Sequence, residues 1–346
     1  MTPIKKIRVL IVDDSMLFRK TLEQGLSQDP RIEVIGSAVD PMDAMNKIKQ
    51  LQPDVVTMDV EMPKMNGIDF IKRLIPIHPI PVVVVSSLPL NVLDALSAGA
   101  VDFVKKPAVK SPNDVKNFIN DLSLKIKIAS TARVRRPAAV PTPHPLSLSS
   151  LSASADNTII AIGASTGGTE AILSVVRDLP ASTPGIIVVQ HMPPVFTNMY
   201  AQRLNRICKM NVKEAANNDR IERGRILIAA GEYHLRLARD ARGYYVKSEQ
   251  GPKVSGHCPS VDVMFESVAS VAGRNAVGII LTGMGQDGAN GLLKMRQSGA
   301  HTIGQDKESC VVYGMPMVAF QLGGVVRQLP LDKISDEIIR YLNSVR

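Results

Sequence analysis

The chain has 346 residues, 45% of them apolar and 21% charged, and a formal net charge of +9. That length calls for two domains, and that composition for a globular rather than a disordered chain. No stretch approaches the roughly 20 apolar residues that span a bilayer, and three scattered cysteines (Cys208, Cys258, Cys310) lack metal or disulfide spacing, so the chain reads as a reduced cytoplasmic protein.

The first apolar run, Ile7–Val12, follows basic residues but is only about five residues long and ends in two aspartates. It is a strand and no signal peptide. Further strands read at Ile32–Ser37, Val55–Met58, Pro81–Val85 and Val101–Val104, with amphipathic stretches between them at Leu17–Leu26, Ala44–Leu51 and Ile68–Leu74. This alternation predicts a doubly wound, five-stranded parallel sheet, in which ligands bind beyond the carboxyl ends of the strands.

Those ends carry chemistry. Strand one ends in Asp13-Asp14, strand three in Asp59, strand four in Ser86 and strand five in Lys106-Pro107. Carboxylates gathered in one crevice repel one another unless a hard cation such as Mg²⁺ joins them. A hydroxyl and a lysine beside them suit a phosphoryl group. Singly, each residue has a plainer reading: Asp14 or Ser15 as a helix N-cap, Ser86 as a loop hydroxyl, Lys106 as a solvated side chain.

Together, Val12-Asp-Asp-Ser15, Met58-Asp-Val-Glu-Met-Pro63 with Gly67, Val85-Ser-Ser87 and Asp102-Phe-Val-Lys-Lys-Pro107 make residues 5–125 resemble the receiver domain of two-component response regulators, a flavodoxin-like fold. The resemblance implies Asp59 as phosphoacceptor. It implies Asp13, Asp14, Asp59 and the Glu61 carbonyl as Mg²⁺ ligands, and Ser86, Lys106 and Phe103 as the switch that senses the phosphoryl group.

Residues 126–156 read as an interdomain linker, dominated from 131 onward by proline and then serine with no helical or strand period. His144 sits among its prolines and reads as inert; Leu146, Leu148 and Leu151 alternate as if part of it packs between domains.

The 157–346 segment predicts a second α/β domain with a mainly parallel sheet. Strands read at Thr158–Gly163, Gly185–Gln190, Ile226–Ala229 and Val277–Thr282, and helical spacing near Phe196–Ile207, Val261–Val271, Leu292–Gln297 and Ile334–Leu342. Tyr233–Ala238 and Tyr244–Lys247 flank Asp240-Ala-Arg-Gly243, the pattern of an inserted β-hairpin.

Gly163-Ala-Ser-Thr-Gly167 places Ser165 at the apex of a strand-to-helix turn and fits G-x-S-x-G, the turn that exposes a serine nucleophile. The same turn also suits a phosphate or dinucleotide cradle. A serine nucleophile needs a base and a carboxylate to orient it. His191 follows a strand and precedes Met-Pro-Pro194, which puts it at the sheet edge of Ser165; His257, in a loop, is the alternative base. Asp287 lies past a third strand in Thr282-Gly-Met-Gly-Gln-Asp-Gly288, where it also reads as an N-cap; Asp262 and Asp306 are weaker alternatives. The order Ser, His, Asp is not that of the α/β-hydrolases. Cys208 reads as core, and neither Cys258 nor Cys310 has a base placed to activate it.

Gly163-Ala-Ser-Thr-Gly-Gly168, Gln190-His-Met-Pro-Pro194, Ala229-Ala-Gly-Glu-Tyr-His234, Pro259-Ser-Val-Asp-Val-Met-Phe265 and Leu281-Thr-Gly-Met-Gly-Gln-Asp-Gly288 resemble the catalytic domain of the chemotaxis protein-glutamate methylesterases. The resemblance implies Ser165 as nucleophile, His191 as base, Asp287 as its orienter, and amides near Thr166 and Met284 for the oxyanion, with no cofactor in the esterase site. It implies methyl-accepting chemotaxis receptors as substrate, a chemotaxis histidine kinase as phosphodonor, a peripheral, receptor-mediated link to the membrane, and deamidation of receptor glutamines at the same site. An unmodified receiver would restrain the esterase until phosphorylated.

Two rivals stand beside it. A reductase would want an acidic residue for the ribose after the second strand, where this chain has Gln190-His191. A DNA-binding regulator would want a compact basic reading head; the output segment is large, and its 21 Lys and Arg against 16 Asp and Glu are spread out, so no nucleic acid is expected.

Overall fold

The computed structural model describes residues 5–62, 66–87, 89–108, 111–134 and 157–345, which form two compact units on either side of the stretch 135–156. His144, Leu146, Leu148 and Leu151 lie outside the described residues.

In the first unit, strands β1 (Ile7–Val12), β2 (Ile32–Ala38), β3 (Val55–Asp59), β4 (Val82–Ser86) and β5 (Asp102–Lys105) form one parallel sheet in the order β2-β1-β3-β4-β5. β3 and β4 are buried along their whole length, as parallel strands covered on both faces must be. The chain leaves β1 toward one edge, returns to β3 and continues toward the other, so the winding reverses between β1 and β3. Asp13 follows β1 and Asp59 ends β3, so both carboxylates fall at that switch point. The helices start on side-chain caps: Ser15 accepts from the Phe18 N–H, Asp40 from the Met42 and Asp43 N–H groups, and Asn66 from the Ile68 N–H. The helix Pro112–Ala129 continues past residue 126, into the stretch assigned to the linker, and ends just before the proline- and serine-rich run that starts at 131; Leu122, Ile126 and Ala129 carry an apolar stripe to its last turn.

The second unit is built on a seven-stranded sheet in the order β14-β13-β12-β6-β7-β9-β8, parallel throughout. Its strands are β6 (Ile159–Ala164), β7 (Ile186–Gln190), β8 (Asn211–Glu214), β9 (Arg225–Ile228), β12 (Ala276–Ile280), β13 (His301–Gln305) and β14 (Arg327–Leu329). Strands expected from apolar runs sit within a residue or two of their predicted bounds. The edge strands β8 and β14 carry no apolar run, because an edge strand buries little. β10 (His234–Asp240) and β11 (Gly243–Glu249) form the separate hairpin, whose Leu235, Leu237 and Val246 join the core with Val261, Met264 and Phe265 of the helix Val261–Val271.

Winding reverses here between β6 and β12. The turn after β6, which carries Ser165, therefore opens at the switch point of this sheet.

Candidate functional site

Three backbone bonds pin Ser165. Its N–H donates to the Thr282 carbonyl (3.0 Å), and its carbonyl accepts from the Gly168 N–H (2.7 Å) and from Gln190 Nε2 (2.9 Å). β6 and β7 pair Ala164 with Gln190, so the next residues, Ser165 and His191, leave adjacent strands side by side. Adjacent strands run about 4.8 Å apart, which is within reach of a serine–histidine pair. The His191 N–H donates to the Ala164 carbonyl (3.2 Å) and holds that register beyond the strand.

Asp287 returns to the same rim on the loop after β12. Its carboxylate is buried and collects four donors: His191 Nε2 and the Val261 N–H on Oδ2 (2.8 Å each), and the Ser260 hydroxyl (2.7 Å) and Asp262 N–H (3.0 Å) on Oδ1. Two of these are amides at the start of the helix Val261–Val271, where the helix dipole favours an anion. Burial works against the charge of Asp287, and the bonds from His191, Asp262 and Ser260 outweigh it, holding the carboxyl below its ordinary value. The N-cap alternative for Asp287 is overturned: Gly288, with φ of 89°, occupies the cap of the helix Ala289–Gln297 without a side-chain bond.

An ionised carboxylate only accepts, so His191 Nε2 carries the proton and the lone pair of the neutral ring sits on Nδ1. Nδ1 is buried and has no hydrogen-bond partner among the described residues. The arrangement thus offers a hydroxyl, a basic nitrogen and an anionic orienter at one rim. Of the expected oxyanion donors, Thr166 is buried directly after Ser165, and Met284, two residues beyond the Thr282 carbonyl that holds Ser165, is 45% exposed.

The other histidines are placed otherwise. His257 lies face to face with His191. His234 bridges the Ser260 N–H and the Pro252 carbonyl, and His301 pairs with Glu337 at the opposite end of the sheet. Asp262 accepts from the Gly291 N–H, and Asp306 closes a local turn with Ser309. Cys208 is half-buried rather than core, its thiol pushed up to about 11 by burial; Cys310 is buried and pushed up to about 12 for the same reason. Sequence reasoning missed Ser260 as a partner of Asp287 and Gln190 as a clamp on Ser165. A polar residue ending an otherwise apolar strand was the available sign of the latter. Gln190 also tells against a dinucleotide cradle: a Cβ on Gly168 would stand 2.1 Å from Gln190 Oε1, so the space this glycine opens is filled by the protein itself.

In the first unit, oxygens of Asp13, Asp14 and Asp59 lie within 4.8 Å of one another, with Asp13 and Asp59 buried and Asp14 exposed. Lys106 Nζ bonds to Asp13 (2.8 Å) and Asp59 (2.5 Å) and lies 4.6 Å over the Phe18 ring. Burial opposes the ammonium charge, yet the bonds to both carboxylates raise Lys106 above its ordinary value. Burial also pushes Asp13 up; Lys106 pulls it down without cancelling that push, and the Asp59 charge adds to it. The Ser86 hydroxyl donates to Glu61 Oε1 (3.1 Å), the Glu61 N–H donates to Asp59 Oδ1 (3.0 Å), and Phe103 is buried. This all-oxygen, electron-rich donor set fits a small hard cation.

A family model described as CheB methylesterase matches residues 160–338, and one described as response regulator receiver domain matches residues 9–119. A protein-glutamate methylesterase/protein-glutamine glutaminase 2 of Syntrophomonas wolfei is 54% identical over 342 residues, spanning 99% of each chain. A protein-glutamate methylesterase/protein-glutamine glutaminase of Syntrophotalea carbinolica is 51% identical over 350 residues, again 99% of each. The crystal structure of the Thermotoga maritima CheB methylesterase catalytic domain matches with a TM-score of 0.52 and 35% identity, over 54% of this chain and 98% of that one.

Proposed function

This chain belongs to the CheB methylesterase family, with a receiver domain ahead of the esterase, and from that premise we infer that it hydrolyses glutamate 5-O-methyl esters on chemotaxis receptors and deamidates receptor glutamines. The observation that carries the chemistry is the 2.8 Å bond from His191 to the buried Asp287, on a rim where His191 is the strand neighbour of Ser165.

Nδ1 of His191 takes the Ser165 proton as the serine oxygen attacks the ester carbonyl carbon, and Asp287 stabilises the imidazolium without becoming protonated. The oxyanion is held by the N–H groups of Thr166 and Met284. His191 then gives its proton to the departing methoxide, which leaves as methanol. Water repeats the sequence on the acyl-serine: its proton goes to Nδ1, its oxygen to the carbonyl carbon, and the proton returns to Ser165 as free glutamate is released. With a glutamine the leaving group is ammonia, a poorer one, so proton donation from His191 matters more.

Asp59 receives a phosphoryl group from a chemotaxis histidine kinase. Asp13, Asp14, Asp59 and the Glu61 carbonyl would hold Mg²⁺, which spreads the charge of the transferring phosphoryl group. Lys106, bonded to Asp59, and Ser86, whose hydroxyl donates to Glu61, are the groups that would meet the new oxygens, with Phe103 completing the switch. Residues 157–346 act as the esterase and 5–125 as its regulator. Among the described residues no helix is long and apolar enough to cross a membrane.

Methanol release from methylated receptor membranes tests the serine mechanism. Ser165→Ala is expected to lose at least about 10³-fold in rate, and substantial residual turnover would remove it.

A further inference from the structure

The ring of His257 lies flat against that of His191, with centroids 3.6 Å apart and planes 9° from parallel. His257 comes from the loop between the hairpin and the helix Val261–Val271, and that loop holds it through its own backbone. The Val254 N–H donates to the His257 carbonyl (3.0 Å) and the His257 N–H to the Val254 carbonyl (2.9 Å). Downstream, Ser260 ties the loop to Asp287, and His234 ties Ser260 back to Pro252.

The triad bonds leave one freedom unfixed. Asp287 grips His191 at Nε2 alone, and the terminal torsion of a histidine is broad. A ring held at one nitrogen can still tilt about that point, and a tilt changes where Nδ1 stands relative to Ser165 on the neighbouring strand end. Proton transfer needs Nδ1 within about 2.6–3.2 Å of the hydroxyl oxygen, so the tilt matters. A flat neighbour on the ring face removes it, since parallel rings lose contact area when either one turns.

We propose that His257 is a positioning residue: its ring fixes the plane of His191 while Nε2 stays on Asp287, so that Nδ1 is held in one orientation for the Ser165 proton. The inference rests on reading Ser165, His191 and Asp287 as the triad. It requires planarity of residue 257, not basicity.

The test uses the full chain and methylated receptor membranes. His257→Ala and His257→Leu are each expected to lower kcat roughly 10- to 10²-fold with KM unchanged, whereas His257→Phe restores most of that rate. Wild-type kcat in His257→Ala overturns the proposal. So does a Leu variant as fast as the Phe variant, a Phe variant as slow as Ala, or an effect confined to KM. A second arm needs no turnover. In Ser165→Ala protein, the imidazole ¹⁵N signals of His191 are expected to keep the Nε2–H tautomer that Asp287 fixes, to broaden when His257→Ala is added, and to sharpen again with His257→Phe; signals equally sharp in all three overturn the proposal. Activity surviving in Ser165→Ala itself would instead bring down the triad reading.

Discussion

Asp287 shows what one buried carboxylate needs in order to stay charged. Its four donors are a ring nitrogen, a hydroxyl and two amides, and they come from two separate stretches of chain. Asp287→Asn keeps the size but changes one oxygen into a donor facing other donors, and it loses the anion that fixes the His191 tautomer. Methanol release is expected to fall about 10³- to 10⁴-fold. The stability change has a sign that pH reveals. A carboxyl held below its ordinary value in the folded state contributes stability that is complete above the unfolded value of about 4 and is lost as pH falls through the folded one. The variant should therefore melt below wild type at pH 7, with a gap that narrows below about pH 4; a gap that widens in acid would contradict the bonding around Asp287.

At the scale of elements, the site depends on how closely β6 approaches the helix Val261–Val271. A Cβ on Gly163 would stand 2.1 Å from Val261 Cγ1, so only glycine lets the strand lie that near. The helix it touches is the one whose first amides grip Asp287, so strand spacing and triad geometry are linked. Gly163→Ala is expected to cost about 1–3 kcal/mol in denaturant unfolding and to depress kcat, and Val261→Ala in the same chain should recover part of both. Strict additivity of the two substitutions would show that the contact does not transmit strain. The strands around this contact were legible because parallel strands buried on both faces read as continuous apolar runs. β8 and β14 were not, because edge strands have no such run to display.

For the whole molecule, the regulatory reading depends on negative charge arriving at a site that already gathers three carboxylates around one ammonium. Lys106 bonds Asp13 and Asp59 together, and a phosphoryl group on Asp59 adds about −1.5 to −2 charge beside them. Acetyl phosphate with Mg²⁺ is expected to raise methanol release by the wild-type chain. Asp59→Asn should keep the basal rate and lose the stimulation, and chelating Mg²⁺ should remove the stimulation from wild type. Stimulation that survives Asp59→Asn would place the phosphoryl group elsewhere.

The amino-acid sequence by itself determined the two-domain α/β plan, the switch-point carboxylates, and Ser165 with a short set of candidate partners at neighbouring strand ends, because strand ends are marked by a change from apolar to polar and glycine residues. It could not decide which carboxylate meets the histidine through which nitrogen, that Ser260 and two helix amides surround that carboxylate, or that His257 covers the ring instead of replacing it. Those contacts join residues up to 96 positions apart. Only the folded register of β6, β7 and β12, which brings distant loops to one rim, sets their distances.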